Sequence, residues 1–150
     1  MADVHLETTV PAAPDRVFEL LTTSDGIQSF WTDQAKVPSE VGSVAEFGFG
    51  PEWAMRLNMR VEKMEPGKQV SWRCLGEFPE WADTEIVWDL APSDEGGTTV
   101  RFHHTGWESA EGSLPSASFT WAMILAQLAK NLGSGESQPM MVSTDMSHGG

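Results

Sequence analysis

Residues 55–62 read Met55-Arg56-Leu57-Asn58-Met59-Arg60-Val61-Glu62, apolar and polar side chains in strict alternation. Successive strand residues point to opposite faces, so this stretch is a strand with one face buried and the other in water. Upstream, Val44 to Phe49 predicts a strand that turns Phe47 and Phe49 inward and leaves Glu46 in solvent. Downstream, Pro66-Gly67-Lys68 turns the chain into Gln69–Leu75, where Val70, Trp72 and Cys74 share a face against Ser71 and Arg73. Thr84, Ile86, Trp88 and Leu90 then alternate with Glu85, Val87, Asp89 and Ala91. Ser93-Asp94-Glu95-Gly96-Gly97 makes a further turn into Thr98–Thr105, with Val100, Phe102 and His104 on one side. Consecutive strands joined by such turns predict an antiparallel meander.

The flanks complete the architecture. Val4 to Val10 alternates as a strand, and Pro11 and Pro14 end it. Val17, Phe18, Leu20 and Leu21 fall on one face of a short helix. Thr22-Thr23-Ser24-Asp25 offers capping side chains for a second helix ending near Phe30-Trp31, and residues 32–42 read as loop. Pro115 to Leu132 predicts a long helix with Gly133 just past its end. Trp121, Leu125, Leu128 and Leu132 form its apolar stripe, and Phe119, Met123 and Ala126 broaden it. Residues 134–150 have no hydrophobic period, giving a single domain over 1–133 and a flexible tail over 134–150. The fold expected is α+β: a curved six-stranded antiparallel sheet around one long C-terminal helix, with two short helices after the first strand. One helix covers only the middle of such a sheet, so the rest of the concave face is expected to enclose ligand space.

Nine Lys and Arg against twenty-two Asp and Glu give a formal charge of -13. A surface of that sign repels phosphate backbones and anionic headgroups, which excludes nucleic acid and electrostatic membrane docking. Apolar residues make up 40% of the chain, enough for a globular core. Cys74 is the single cysteine, so no intrachain disulfide is possible. No apolar run approaches the ~20 residues that span a bilayer, and none of signal-peptide length follows Met1. A reducing, cytoplasmic setting is the expectation.

Several motifs in this order resemble a known family. They are Val10-Pro11-Ala12-Ala13-Pro14-Asp15-Arg16-Val17-Phe18, Phe30-Trp31, Val41-Gly42-Ser43 and Val70-Ser71-Trp72. Leu90-Ala91-Pro92 before Gly96-Gly97-Thr98, His104-Thr105-Gly106-Trp107, Trp121 and the leucines 125, 128 and 132 complete the set. Together, over residues 3 to 133, they resemble the START-like, helix-grip (SRPBCC) superfamily, in the branch named for the activator of the heat-shock-protein-90 ATPase. The resemblance implies an apolar pocket between sheet and long helix. It carries over no catalytic set, because the superfamily shares none; its members include lipid and hormone carriers, polyketide cyclases and co-chaperone domains.

Strand alternation and the resemblance together nominate a ligand-binding wall. It comprises Trp31, Met55, Leu57, Met59, Trp72, Trp88, Phe102, His104, Phe119 and Met123. Two loops carry the same four residues, Pro51-Glu52-Trp53-Ala54 and Pro79-Glu80-Trp81-Ala82, and a third holds Gly106-Trp107-Glu108. Alternate turns of a meander emerge at the same end, so Trp53, Trp81 and Trp107 are expected at the pocket mouth. Glu52, Glu80, Glu108 and Glu111 would make that mouth acidic, which suits a neutral or cationic aromatic better than an anion.

No metal, cofactor or catalytic residue is expected. His103 and His104 point to opposite faces of one strand, and His5 and His148 are expected to be remote from them. The function expected is binding of a small apolar molecule. A cyclase or dehydratase using His104 as acid–base group is one alternative, and a co-chaperone-like domain meeting a protein partner through its acidic surface is another. Self-association as a homodimer is compatible with each.

Overall fold

The computed structural model describes residues 2–76, 80–94, 96–135 and 137–140. Pro79 of the second repeat, Glu95 of the expected turn, and residues 141–150 of the expected tail, with His148, lie outside the described residues.

The chain runs β1 (Ala2–Val10), α1 (Pro14–Thr22), α2 (Ser24–Phe30), β2 (Gln34–Lys36), β3 (Val44–Phe49), β4 (Met55–Glu65), β5 (Gln69–Cys74), β6 (Glu85–Pro92), β7 (Thr98–Trp107) and α3 (Leu114–Ser134). All strands pair antiparallel in the order β1-β7-β6-β5-β4-β3-β2, so β1 and β2 form the edges. Among the described residues the sheet has seven strands rather than six. The addition is β2, three residues inside the expected loop, pairing Ala35 with Phe47 of β3. Three residues are too few to show a period, so only the neighbouring strand reveals it.

Local chemistry explains the helices. Thr23 Oγ1 accepts from Gly26 N at 3.0 Å and caps α2. Gly26 is required because a Cβ there would lie 2.4 Å from Leu20 Cα and Leu20 O; the two helices meet backbone to backbone. α3 runs through Gly133 and ends instead on Gly135, whose φ of 77° is the left-handed conformation that glycine adopts without strain. Residues 137–140 lie against the domain. Met140 N donates to Phe30 O at 3.0 Å, and Gln138 O accepts from Asn131 Nδ2 at 2.8 Å.

The core fills the space between the concave side of the sheet and the helices. Trp72, Trp88, Trp121, Phe30, Phe47 and Phe102 are all buried there. The convex side carries charge pairs instead. Between Val61 and Lys63 the β4–β5 register slips, and Glu62 sits between Arg60 Nε at 2.8 Å and Arg73 Nε at 3.3 Å. Hydrogen bonding from Arg60, then from Arg73, holds the Glu62 carboxyl below its usual range against the opposing effect of burial. Glu46 faces solvent and meets Arg56 at 3.1 Å, while Phe47 and Phe49 turn inward as the alternation requires.

Candidate functional site

Most of the concave face is closed by aromatic packing. Trp31, at the end of α2, meets Phe47 of β3 at a ring-centroid distance of 4.6 Å and Trp121 of α3 at 5.1 Å. Trp121 packs on Phe102 at 4.5 Å, and Phe102 on Trp88 at 4.9 Å. Ring pairs at these separations add to the stabilisation from area alone. Space remains at one end of α3, where the loops after β3 and β5 emerge. A cavity of about 260 Å³ opens there. Trp31, Trp81 and Trp121 form its aromatic side; Phe49, Met55, Leu57, Ile124 and Thr120 form the rest. The Thr120 hydroxyl is turned away, donating to Ser116 O at 2.9 Å. The wall is apolar.

Of the ten nominated wall residues, the cavity brings together Trp31, Met55 and Leu57. Met59, Trp72, Trp88, Phe102 and His104 do point inward, but they are packed into the core and line no part of the cavity. Their neighbours fill the concave face, an outcome that alternation cannot foresee. Phe119 and Met123 do not face inward: they are 69% and 46% exposed on the outer side of α3. The reason is angular. Residues two apart on a helix point about 200° away from each other, so neither shares the face of the buried Trp121.

The three expected mouth tryptophans separate. Trp81 becomes wall rather than rim. Trp107 is buried behind it, its ring 5.7 Å from Trp81 and 4.7 Å from His104. Trp53 lies on the opposite, convex side. It covers Gly48, where a Cβ would meet its ring at 2.5 Å, and packs between Lys36 and Arg56, their charged groups 5.7 and 4.9 Å from its centroid. Loop parity sets the end of the sheet but not the face. Glu80, from the same repeat, accepts from Ser113 N at 3.1 Å and from the Ser113 hydroxyl, tying the β5–β6 loop to the start of α3. Trp121 was legible as part of the helix stripe and Phe49 as an inward strand position, whereas Thr120 and Ile124 carried no separate signal.

His104 is fully buried and fully bonded. Trp121 Nε1 donates to its Nδ1 at 3.2 Å, so the ring proton is on Nε2. Nε2 donates to Thr84 Oγ1 at 2.8 Å, and the Thr84 hydroxyl donates to Trp81 O at 2.6 Å. Burial pushes the imidazole pKa down from 6.5 to about 3. At neutral pH this histidine is an uncharged strut that orients Trp81 and Trp121 and has no free nitrogen to offer a substrate. The acid–base alternative loses its residue. His5 is not remote: it is the cross-strand partner of His103, Nδ1 to Nδ1 2.8 Å, on the convex side. Among the described residues no group of three or more His, Cys, Asp or Glu could hold a metal ion. No helix among them is long and apolar enough to cross a membrane.

Residues 11–133 match the family described as Activator of Hsp90 ATPase homolog 1-like protein. The solution structure of the Aha1 dimer from Colwellia psychrerythraea is 30% identical, with a TM-score of 0.79 over 88% of this chain and 96% of that one. A crystal structure from Staphylococcus saprophyticus shares the fold at 19% identity, with a TM-score of 0.77 over 95% and 99% of the two chains. So does DynU16, from the dynemicin biosynthetic locus, at 20% identity and a TM-score of 0.76; the match covers 93% of this chain and 50% of that one. No curated protein matches the chain.

Proposed function

The chain belongs to the Activator of Hsp90 ATPase homolog 1-like protein family, and we propose that it binds a small, largely apolar molecule between Trp31, Trp81 and Trp121. The observation that carries this is the cavity of about 260 Å³ left in an otherwise closed aromatic core. Apolar clefts lined by aromatic side chains are where small molecules bind. A void of about 150 Å³ takes one benzene ring, so this one suits a molecule of one or two rings. Its wall offers nothing to a carboxylate or phosphate, and the charge of -13 opposes their approach. The ligand class is therefore neutral or cationic, and driven by apolar burial.

Two further elements belong to this reading. The dimer described for the Colwellia relative extends to this chain as a homodimer. The setting is reducing and cytoplasmic, in keeping with a lone, buried Cys74.

Thermal unfolding against a panel of one- and two-ring aromatics tests the binding. A ligand at 100 times its Kd adds about 2.7 kcal/mol, roughly 5–11 °C in Tm for a chain of this size. Thr120→Phe, which projects a ring into the void, should abolish that shift while the variant still unfolds cooperatively. A shift that persists in Thr120→Phe would move binding elsewhere, and a panel with no shift would remove the proposal.

A further inference from the structure

α3 stands apart from the rest of the molecule in charge. Leu114–Ser134 contains no Asp or Glu and one cation, Lys130, in a chain with twenty-two acidic residues. Its outer face is also apolar: Phe119, Ala122, Met123 and Ala126 are all exposed. Water-facing helix positions normally carry polar side chains, and a phenylalanine 69% exposed beside a methionine 46% exposed is a patch that calls for a cover. Neither side chain has any place in the cavity wall.

We propose that this face is the surface on which two copies of the chain pair, with their α3 helices antiparallel about a twofold axis near Ala122 and Met123. The inference rests on the homodimer reading given above and adds where the copies meet. Two observations select a second copy as the occupant. Each copy carries -13, yet α3 between Leu114 and Ser134 bears none of the twenty-two acidic residues. Two copies that meet along this helix set no carboxylate of one α3 against a carboxylate of the other. The stripe is also self-complementary. A twofold between residues 122 and 123 sets Phe119 against Ala126 of the partner subunit and Met123 against Ala122 of the partner subunit. Each large side chain meets a small one, and the interface is isologous as a closed dimer needs. Antiparallel helices also oppose their dipoles favourably.

From Phe119 to Ala126 the stripe is about 10 Å long at 1.5 Å per residue. That is a small interface, so the dimer forms reversibly, as a weak pair rather than an obligate one.

Sedimentation equilibrium of the full chain between 5 and 500 µM reads the association. The wild type should approach twice the 16.4 kDa chain mass at the upper end, and Phe119→Glu with Met123→Glu should stay at one chain mass with an unchanged circular dichroism spectrum. Ala122→Cys, close to the axis, should form an interchain disulfide under mild oxidation, whereas Lys68→Cys in the β4–β5 turn should not. A wild type monomeric throughout would overturn both the dimer and its location. A dimer that survives the double Glu substitution, or an Ala122→Cys that never cross-links, would put the contact elsewhere, such as the β1 edge, and overturn the location alone. Ligand shifts in Tm read the cavity separately, so failure here leaves that reading standing.

Discussion

His104→Phe should lower stability at neutral pH and abolish part of its dependence on pH. The substitution keeps an aromatic ring in the site but leaves the buried Trp121 Nε1–H without its acceptor at 3.2 Å and removes the donor to Thr84. A buried donor left unpaired costs about 1–3 kcal/mol, so the variant should be about 2 kcal/mol less stable at pH 7.5. The wild type then loses ground on acidification. Between about 6.5 and about 3 the unfolded chain binds a proton at this histidine that the folded chain refuses. Stability in that window therefore falls as pH falls, by about 1.4 kcal/mol per unit. From pH 6.5 to 5.0 that amounts to about 2 kcal/mol, and the phenylalanine variant is exempt from it. The two stabilities should meet near pH 5. Urea unfolding followed by tryptophan fluorescence at four pH values measures this, and the difference between the two proteins cancels the contributions of every other titrating group. A difference that stays constant from pH 7.5 to 5.0 would refute the reasoning, because it would mean that the fold accepts the proton.

Gly26→Ala should cost about 3 kcal/mol or more, because its Cβ would lie 2.4–2.7 Å from Leu20 backbone atoms that cannot move aside; chemical denaturation gives the figure, and a near-neutral result would mean that α1 and α2 do not meet as described. Gly135→Ala, at a φ of 77°, should cost about 1 kcal/mol by the same measurement and leave the cavity untouched. Glu62→Gln should lower stability at pH 7 by no more than about 1 kcal/mol, since the Arg60 and Arg73 pairs are partly solvent-screened. The carboxyl is held below its usual range, so this loss is present above pH 4.5 and disappears as pH falls through its folded value; a deficit that grows in acid would contradict the pairing.

The amino-acid sequence by itself determined the meander, the two short helices and the long C-terminal helix, because each is written in a local period. Met55 to Glu62 alternates, Thr23 caps, and Trp121, Leu125 and Leu128 recur at helical spacing and are buried. It also settled which side of each strand faces inward, since one residue's direction fixes the next. What only the tertiary structure decided is where space is left over. Trp72, Trp88 and Phe102 face inward as Met55 and Leu57 do, yet the first three are packed against one another and Trp121, and the last two line a void. Volume is a property of neighbours that are far apart in the chain, and no period encodes it. The loops follow the same rule. Three tryptophans in loops of matching parity reach one end of the sheet, but Trp81 turns into the cavity, Trp107 packs beneath it and Trp53 crosses to the convex side over Gly48. Whether a loop side chain turns inward or outward depends on what it finds there, and that is set only when the strands, helices and loops have come together.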